Sequence, residues 1–409
     1  MSNHHADRTV LYLTHNYPRH SGDFAGAFIA RLAELVVQRG HRAIVIAPHA
    51  PGTSEQETVN GVDVHRFRYA SDEREVIAYR GEVGKIALWG SQGIGAYNRF
   101  LRSFTRAGRT SIREHQPDVI HAHWWIPGGL VASRLPGETR VVLTMHGTDI
   151  RMLSKMSWIR PLARRVFRRA DAITVVSSPL AALVERQIPD ADRKLSILPM
   201  PPNDEAFTQS DSAPAANTPP VVLCVTRFTE QKRNAVLLKA AARLASEGVD
   251  LRLKLIGKGP LEDDLRAMAA GFGLEQIVEF APPMPQDQLA SEYARADLVV
   301  LPSVDEGLGM VLIEAQMCGT AVLGVRSGGI VDIIEHDDTG WLTAPDDVDA
   351  LADGIRQLLS DANLRHRLAA AGRKSALSRF SSRAIVERFL ELYGISRSRE
   401  HDARGDVPT

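Results

Sequence analysis

Short runs of aliphatic and β-branched residues alternate with amphipathic segments along this chain, and the alternation occurs twice. Before residue 199, we predict buried strands at TVLYLT, RAIVIAP, PDVIHAH, RVVLTM and DAITVVS. A second set follows at PPVVLCVT, LRLKLIG, QIVEFA, ADLVVLPS and TAVLGV. Buried strands that alternate with helices form parallel sheets covered by helices. The sequence therefore predicts an α/β protein with two doubly wound parallel-sheet domains.

A segment without apolar periodicity separates the two sets of strands. Residues 200–220 are rich in Pro, Ala, Ser and Asn, which is typical of a linker or an edge loop. We expect one domain over 1–199, a second over 221–380, and a ligand cleft between them. A helix over 381–395 that packs back toward the first domain, and a flexible polar tail over 396–409, complete this prediction.

Composition and charge limit the class of protein. Of the 409 residues, 44% are hydrophobic and 24% are charged, as in ordinary globular proteins. No window approaches the ~18 to 20 apolar residues of a membrane span, and the polar start MSNHHADR is not a signal peptide, so we expect a cytoplasmic protein. Lys and Arg are in excess before residue 199, and Asp and Glu are in excess after it. The basic half favours an anionic partner: a phosphorylated small molecule, an acidic membrane surface or nucleic acid.

Two glutamates stand in an otherwise apolar stretch, VDEGLGMVLIEAQMCG. Glu306 follows the predicted strand ADLVVLPS, and Glu314 lies in a helix that we expect to begin near Gly309. A buried carboxylate is costly unless it is paired or hydrogen-bonded, so these residues are either solvated acids or part of a ligand site. Ligands of open parallel sheets bind beyond the carboxyl ends of the strands, and this position favours the ligand site.

The residues between the two glutamates can bring the main chain close to a ligand. Glycine permits close approach because it lacks a Cβ atom, and the first N–H groups of a helix have no partner within the helix. We therefore expect ligand contacts from Gly307, Leu308, Gly309, Met310 and Val311.

A second candidate loop, VTRFTEQK, carries Arg227 and Lys232 between a predicted strand and a predicted helix. Two cations beside helix N–H groups can hold a pyrophosphate, although two solvated surface cations would give the same pattern. In LIGKGPLEDDL, Gly257 and Gly259 indicate a tight turn more than a ligand contact. Glu262 stands where the dinucleotide fingerprint requires a third glycine, which disfavours a nicotinamide enzyme.

Taken together, these motifs resemble the family 4 retaining glycosyltransferases of the GT-B fold. The family signature is two glutamates with seven residues between them, here EGLGMVLIE, and RFTEQK, GKGP, SGGIVDIIEHDDTGWL and MHGTDI also fit. The resemblance covers roughly residues 9–395. It implies two Rossmann-like domains that face each other across a cleft, and transfer of a hexose from a UDP- or GDP-sugar to an acceptor hydroxyl with retention of anomeric configuration. It also implies an acceptor-binding first domain, a donor-binding second domain and no required cofactor.

The resemblance assigns roles to residues of the second domain. It implies that Arg227 and Lys232 bind the donor diphosphate and that Glu314 binds the donor ribose. Glu306 is expected beside the hydroxyls of the donor sugar, where it is a catalytic candidate, and Met284 is expected near the nucleobase. The family usually has Gly after the lysine, whereas this chain has Arg233.

In the first domain, His146 and Asp149 of MHGTDI follow the predicted strand RVVLTM. A histidine at a strand end is, taken alone, more often a structural residue than a catalyst. The resemblance implies that His146 contacts the donor sugar and that Asp149 organises the cleft, so both are catalytic candidates. Gly22 and Gly26 are candidates for the loop in which the family has a Gly-Gly pair, although here the two glycines are separated.

The segment HAHWWIPGG presents His123 and Trp124 at another strand end. Aromatic faces suit a sugar or lipid acceptor, and a packed loop would explain the pattern equally well. Residues 151–170 mix Arg and Lys with Met, Trp, Ile and Phe at helical spacing. This segment is either a solvated basic face over a core stripe or a contact with the inner face of the cell membrane, as in several lipid-acceptor members of the family.

We predict no metal site and no nucleic-acid partner. Asp-X-Asp strings occur at 190–192 and 347–349, but neither follows a hydrophobic strand as a metal–nucleotide site would require. The expected partners are a nucleotide-sugar donor and a sugar, lipid-linked or small-molecule acceptor. The alternatives are a nucleotide-sugar epimerase of the same fold and a catalytically silent protein that binds nucleotide sugars or an anionic membrane.

Overall fold

The computed structural model describes residues 7–79, 90–208 and 217–395. In these ranges the first sheet has eight strands in the order β3-β4-β2-β1-β5-β6-β7-β8. Only the β3–β4 pair is antiparallel. The strands are β1 (Thr9–Leu13), β2 (Arg42–Pro48), β3 (Gln56–Val59), β4 (Val62–Phe67), β5 (Val119–His123), β6 (Arg140–Met145), β7 (Ala172–Val175) and β8 (Leu195–Ile197).

The second sheet is parallel throughout its described strands, in the order β11-β10-β9-β12-β13-β14. Both sheets reverse their strand order at an inner strand, β1 in the first and β9 in the second, so loops on either side of that point converge. The α/β class with two doubly wound parallel sheets is confirmed. The strands are β9 (Val221–Val225), β10 (Arg252–Ile256), β11 (Val278–Ala281), β12 (Leu298–Leu301), β13 (Val322–Val325) and β14 (Trp341–Thr343).

Helices connect the strands of both sheets. In the first half they are α1 (Ala27–Gln38), α2 (Gly90–His115), α3 (Leu130–Ala132), α4 (Thr148–Lys155), α5 (Arg160–Arg169), α6 (Ser178–Gln187) and α7 (Asp204–Phe207). In the second half they are α8 (Asn234–Ser246), α9 (Glu262–Gly271), α10 (Gln286–Arg295), α11 (Met310–Met317), α12 (Val348–Ser360), α13 (Ala362–Arg379) and α14 (Ser382–Tyr393). None of the helices in the described ranges has the length and apolar character needed to cross a membrane.

The pattern of aliphatic runs does not predict the β3–β4 hairpin. Its turn is Asn60-Gly61, with φ of 50° and 80°, which is the pair of positive values that a two-residue hairpin turn requires. The antiparallel register pairs Val59 with Val62 directly across this turn. The Asn-Gly dipeptide was therefore a usable signal. β8 and β14 are only three residues long and give little pattern to detect.

Ordered structure extends into the segment that we expected to be a linker. Phe207 of α7 is buried and packs against Tyr293 at a ring distance of 5.9 Å. Asp204, at the start of α7, accepts hydrogen bonds from the main chain and hydroxyl of Ser382. Residues 209–216, and the predicted tail 396–409, lie outside the described residues.

Helix α14 crosses from the second half of the chain to the first sheet. It packs against α1 and β6, and the hydroxyl of Tyr393 lies 2.6 Å from Nδ1 of His121. The same hydroxyl lies 3.3 Å from that of Tyr12 on β1. The last described helix is therefore part of the first sheet's packing.

Candidate active site

A cavity of about 600 Å³ lies between the carboxyl ends of the two sheets. It receives side chains from both halves of the chain, as expected for parallel sheets that face each other. The predicted site residues that line it are Gly22, Arg227, Lys232, Met284, Val311 and Glu314.

Lys232 and Glu306 form an ion pair beside this cavity. Nζ of Lys232 lies 2.6 Å from Oε1 and 2.9 Å from Oε2 of Glu306. Their side chains are 20% and 13% exposed, so the pair is screened from most solvent but open to a ligand. The loops that carry them are joined because the amide of Val304 donates to the carbonyl of Gln231. The structure thus places the cation expected to bind phosphate directly against the carboxylate expected at the sugar.

Arg227 follows β9 and is exposed. Among the described residues its side chain has no hydrogen-bond or ion-pair partner, so its guanidinium is available to an anion. Arg233 occupies the left-handed region at φ 52°, where a glycine would be unstrained, and pairs with Asp346 at 2.7 Å. The loop therefore follows the path that glycine permits, at a cost in backbone strain that the ion pair partly offsets.

Glu314 is buried on α11, and the hydroxyl of Tyr293 donates to its Oε2 at 3.0 Å. Burial raises the pKa of Glu314 to about 7, and this hydrogen bond opposes the rise. The carboxyl group therefore changes charge near neutral pH. It lines the cavity together with Val311, one turn earlier on the same helix.

The loop from 307 to 309 is one of the places at which the two halves touch. A Cβ atom on Gly307 would lie 2.5 Å from the main-chain oxygen of His146, so only glycine fits there. Gly309 precedes α11 with φ 107°, a value that also requires glycine. The loop is supported from below by Gly329, whose amide donates to the carbonyl of Glu306 at 2.9 Å.

The remaining residues of this stretch lie at different depths. Leu308 is buried, and Met310 and Val311 are half-buried at the first turn of α11. Met284, Leu289 and Gly257 line the cavity, and Gly257 also packs so closely on the carbonyl of Thr226 that a Cβ would lie 1.8 Å from it. Gly257 is therefore a packing glycine first, as its sequence pattern indicated.

Asp149 fixes the loop that carries His146. Its carboxylate accepts from the amides of Trp125 at 3.0 Å, Gly147 at 3.1 Å and His146 at 3.3 Å. Burial raises the pKa of Asp149 to about 6 in spite of these bonds. The indole of Trp125 returns a bond to the carbonyl of Asp149 at 2.8 Å. The structure thus gives Asp149 an organising position behind the loop, with its carboxylate turned to main-chain amides.

His146 is held by a second histidine. Nδ1 of His123 lies 3.1 Å from Nε2 of His146, and Nε2 of His123 is buried without a partner. An unpaired buried N–H costs more than an unpaired lone pair, so this geometry favours a proton on Nδ1 of His123. His146 then accepts at Nε2 and carries its own proton on Nδ1. Burial and the nearby His15 lower the pKa of His146 to about 3, so it is neutral.

Trp124 adopts φ 61°, an unusual value for a bulky residue. Its ring packs 4.4 Å from that of His146 and 4.3 Å from that of His15. Gly22 lines the cavity, while Gly26 packs against the carbonyl of Asn16, where a Cβ would lie 2.1 Å away. Of the two candidate glycines, only Gly22 reaches the cavity.

Arg151 belongs to the segment 151–170, for which the sequence suggested a membrane contact, but in the structure it contacts the loop of Glu306. Its Nη2 donates to the carbonyl of Glu306 at 3.2 Å, and burial lowers its pKa from the usual value. Tyr293 was also missed, because it acts on Glu314 and no local pattern marks it. Gly328 and Gly329 belong to the motif SGGIVDIIEHDDTGWL, but the motif did not indicate that they pack against the loop of Glu306 and Gly307.

Several side chains that could bind a metal already have other partners in the described structure. Asp347 caps α12 by accepting from the amide of Ala350, and Asp349 pairs with Arg243 at 2.9 Å. Among the described residues, one set of three potential ligands lies close together: His49, Asp72 and Glu75. In this set His49 and Glu75 already bond each other at 2.6 Å, and Asp72 bonds Arg68.

Two family models cover most of the chain. One described as "Glycosyl transferases group 1" matches residues 206–375, and one described as "Glycosyl transferase 4-like domain" matches residues 25–199. The chain is 30% identical over 407 residues to a GDP-mannose-dependent alpha-(1-6)-phosphatidylinositol monomannoside mannosyltransferase of Mycolicibacterium smegmatis. That alignment covers 94% of this chain and 97% of the relative.

Solved structures show the same architecture. Sucrose-phosphate synthase from Thermosynechococcus elongatus aligns with a TM-score of 0.78 at 21% identity, over 95% of this chain and 98% of its own. HepE from Anabaena in complex with UDP-glucose aligns with a TM-score of 0.70 at 19% identity, over 94% and 99% of the two chains. The predicted fold and family are confirmed: this chain is a transferase enzyme that belongs to the family 4, group 1 glycosyltransferases and has the GT-B fold.

Proposed function

We propose that this enzyme transfers a hexose from a UDP- or GDP-sugar to an acceptor hydroxyl with retention of anomeric configuration. The observation that carries the proposal is one cavity that brings together Arg227, Lys232 and Glu314, with Glu306 paired to the lysine at its edge. Cations beside a helix start suit a diphosphate, and carboxylates suit ribose and sugar hydroxyls. The named relatives support such a donor, since one uses GDP-mannose and another binds UDP-glucose.

The departing diphosphate carries the largest charge that develops in the reaction. The side chain of Arg227 has no partner among the described residues, and Lys232 can share its ammonium group between Glu306 and a phosphate oxygen. Preorganised cations stabilise such a leaving group without reorganisation. Because this chain supplies these groups itself, we propose that turnover needs no metal and no cofactor beyond the donor.

The sugar is placed between the two halves. The Nδ1–H of His146 can donate to a sugar hydroxyl, and the carboxylate of Glu306 can accept from another while it stabilises positive charge on the ring. The bond from the anomeric carbon to the phosphate oxygen breaks as the bond to the acceptor oxygen forms on the same face. The acceptor's hydroxyl proton passes to the departing phosphate oxygen. Both bonds are on one face, so the anomeric configuration is retained.

A second cavity, of about 690 Å³, supports binding of the acceptor by the first half. It shares Gly22, Phe24 and Glu314 with the donor cavity and continues toward the β3–β4 hairpin. Its other lining residues include the aromatic Tyr17 and Phe28 and the polar Glu34, Glu57 and Asn60. Aromatic faces with carboxylate and amide groups suit a polyhydroxylated acceptor.

Contact of residues 151–170 with a membrane is a further part of the proposal. The segment forms α4 and α5, and its apolar stripe of Ala163, Val166 and Phe167 is buried, so most of the helical pattern serves the core. Trp158 is nevertheless 74% exposed, and Leu162 is 38% exposed. The relative that acts on a phosphatidylinositol mannoside supports a lipid-linked acceptor for such a surface. Loss of co-sedimentation with phosphatidylglycerol vesicles in Trp158→Ser would support this contact, and unchanged co-sedimentation would contradict it.

The test of the transfer reaction uses purified protein with UDP- and GDP-sugars, first alone and then with candidate acceptors. Release of nucleoside diphosphate that increases with acceptor, and a product with the donor's anomeric configuration by NMR, would support the proposal. Epimerised donor without transfer would identify an epimerase, and binding without turnover would identify a silent binding protein.

The donor cradle is tested by calorimetry on Arg227→Ala and Lys232→Ala. Each variant removes a charge-assisted contact of roughly 1.5 to 3 kcal/mol with the diphosphate, and should bind the bare nucleoside nearly as well as wild type. Arg266→Ala, which removes an exposed arginine from α9, is the matched control. Equal losses for diphosphate and nucleoside would contradict the assignment of this loop.

A further inference from the structure

A second concave surface lies away from the cleft and is lined by arginines. This arginine cavity has a volume of about 670 Å³ and contains Arg102, Arg106, Arg109, Arg113 and Arg134. Its other lining residues, Thr105 and Pro136, carry no charge. Among the described residues, no carboxylate contributes to the lining.

The arrangement follows from helix geometry. Four of the arginines stand three or four residues apart on α2, so they project from one face over about three turns. The opposite face of α2 is buried through Phe100 and Phe104. Arg134 comes from the turn after α3, and Arg109 donates to its carbonyl at 3.4 Å. Like charges at this spacing destabilise a helix unless an anion compensates them.

The arginines of this cavity are grouped on one surface and are not paired with acidic side chains of the described residues. Within the described ranges, none of the five has a carboxylate within 4.0 Å. Arg243 on α8, by contrast, pairs with three carboxylates. Glu114, next in sequence to Arg113, lies 4.0 Å from His115 instead. Arg109 and Arg113 each donate one long bond, to the carbonyl of Arg134 and the hydroxyl of Thr110, so most of the guanidinium donors of the five arginines have no partner among the described residues.

The cavity is distant from the donor site in the fold. Arg113 precedes β5 and Arg134 precedes β6, so both stand near the amino ends of parallel strands. The donor cavity lies at the carboxyl ends. A ligand of the arginine cavity would therefore not compete directly with the donor.

We infer that the arginine cavity binds a ligand that carries several phosphate groups. Guanidinium groups form two parallel hydrogen bonds with a phosphate, and their planar shape suits this better than an ammonium group does. A row of four arginines along α2 matches phosphates in series more closely than a single anion. The phosphates can belong to a soluble polyphosphorylated molecule or to the headgroups of an anionic bilayer, and the two sources are separable by experiment.

The experiment uses the full chain with Arg227→Ala, which weakens phosphate binding at the donor cavity. Tripolyphosphate binding is measured by calorimetry, and phosphatidylglycerol vesicle binding by co-sedimentation. The test variant adds Arg106→Gln and Arg109→Gln. The matched control adds Arg186→Gln and Arg193→Gln, which remove two exposed arginines without ion pairs in the described structure. Melting temperatures of all three proteins establish that they are folded.

At least tenfold weaker tripolyphosphate binding in the test variant, with the control within twofold of the parent, would show a soluble phosphate ligand. Loss of vesicle binding alone, with the same control unchanged, would show that the phosphates come from lipid headgroups. Equal losses in both double variants would reveal only general charge attraction and would overturn the inference. Failure of the parent to bind either probe would overturn it as well.

Discussion

Gly307→Ala tests whether the contact between the two halves positions the reacting groups. The added Cβ would lie 2.5 Å from the main-chain oxygen of His146, whereas real Cβ contacts essentially never fall below 3.0 Å. The two loops must therefore separate by at least about 0.5 Å, since neither partner is a flexible side chain. Gly307 has no positive φ, so alanine adds no backbone strain of its own.

The separation should act on catalysis more than on folding. A misplacement of about 1 Å in an active site can reduce a rate roughly 100-fold, so we expect kcat to fall about 10- to 100-fold, or about 1.4 to 2.7 kcal/mol in the barrier. The donor KM should change less, because the residues proposed to bind the diphosphate and ribose, Arg227, Lys232 and Glu314, all belong to the second half. Steady-state kinetics with a saturating acceptor measure both constants.

Gly271→Ala is the matched control for this variant. Gly271 ends α9, and a Cβ there would meet no atom within 4 Å. Its kcat should equal that of wild type. If Gly307→Ala kept a kcat within threefold of wild type and the same melting temperature, the contact between the two loops would not be needed for turnover.

The remaining predictions concern charge and strain at the same loops. Glu306→Gln should lower kcat by roughly 100-fold with little change in donor KM, because the charge that stabilises a cationic sugar is lost; a kcat within twofold of wild type would remove its catalytic role. Burial raises the pKa of Glu314 from 4.5 to about 7, so the folded state binds the proton more tightly. Its contribution to stability is therefore most favourable below pH 4.5 and falls by about 3 kcal/mol as the pH rises to 7. Denaturant titrations should show a flatter pH dependence for Glu314→Gln, and the same slope in both proteins would contradict the burial argument. Arg233→Gly should be about 1 kcal/mol more stable than Arg233→Ala, since both lose the pair with Asp346 but only glycine relieves the positive φ; equal urea midpoints would show that the loop is unstrained.

The strands that form the centre of each sheet could be predicted because burial on both faces makes them continuous aliphatic runs. RAIVIAP is β2 without adjustment, and RVVLTM is β6. Short edge strands such as β8 and β14 lack such runs. The segment 151–170 reads as one amphipathic helix in sequence, but it breaks near Met156, and Pro161 stands in the first turn of α5. Proline favours a helix start, so this break had a signal.

The site was predictable only as far as strand ends determine it. The positions of Arg227 and Glu314 follow from strand-to-helix turns, because parallel strands bring those turns to one edge. The pairing of Lys232 with Glu306 joins residues 74 positions apart, and the contact of Gly307 with His146 joins two sheets. Neither leaves a mark in local sequence. The sequence could name the residues expected to contact a ligand. It could not predict the contacts between distant residues that hold them in position.

The packing of α14 on the first sheet means that the amino-terminal half cannot complete its folding before the end of the chain is made. During synthesis, the last strand of the first sheet emerges near residue 197, while the helix that covers α1 and β6 emerges only after residue 382. Until then His121 lacks the hydroxyl of Tyr393, and the surfaces of α1 and β6 that α14 covers are exposed. The amino-terminal half of the nascent chain therefore stays incompletely packed until almost half of the polypeptide has been added. A chain that stops before residue 382 would lack α14, and the resulting packing defect would lie in the amino-terminal half, which the ribosome produced first.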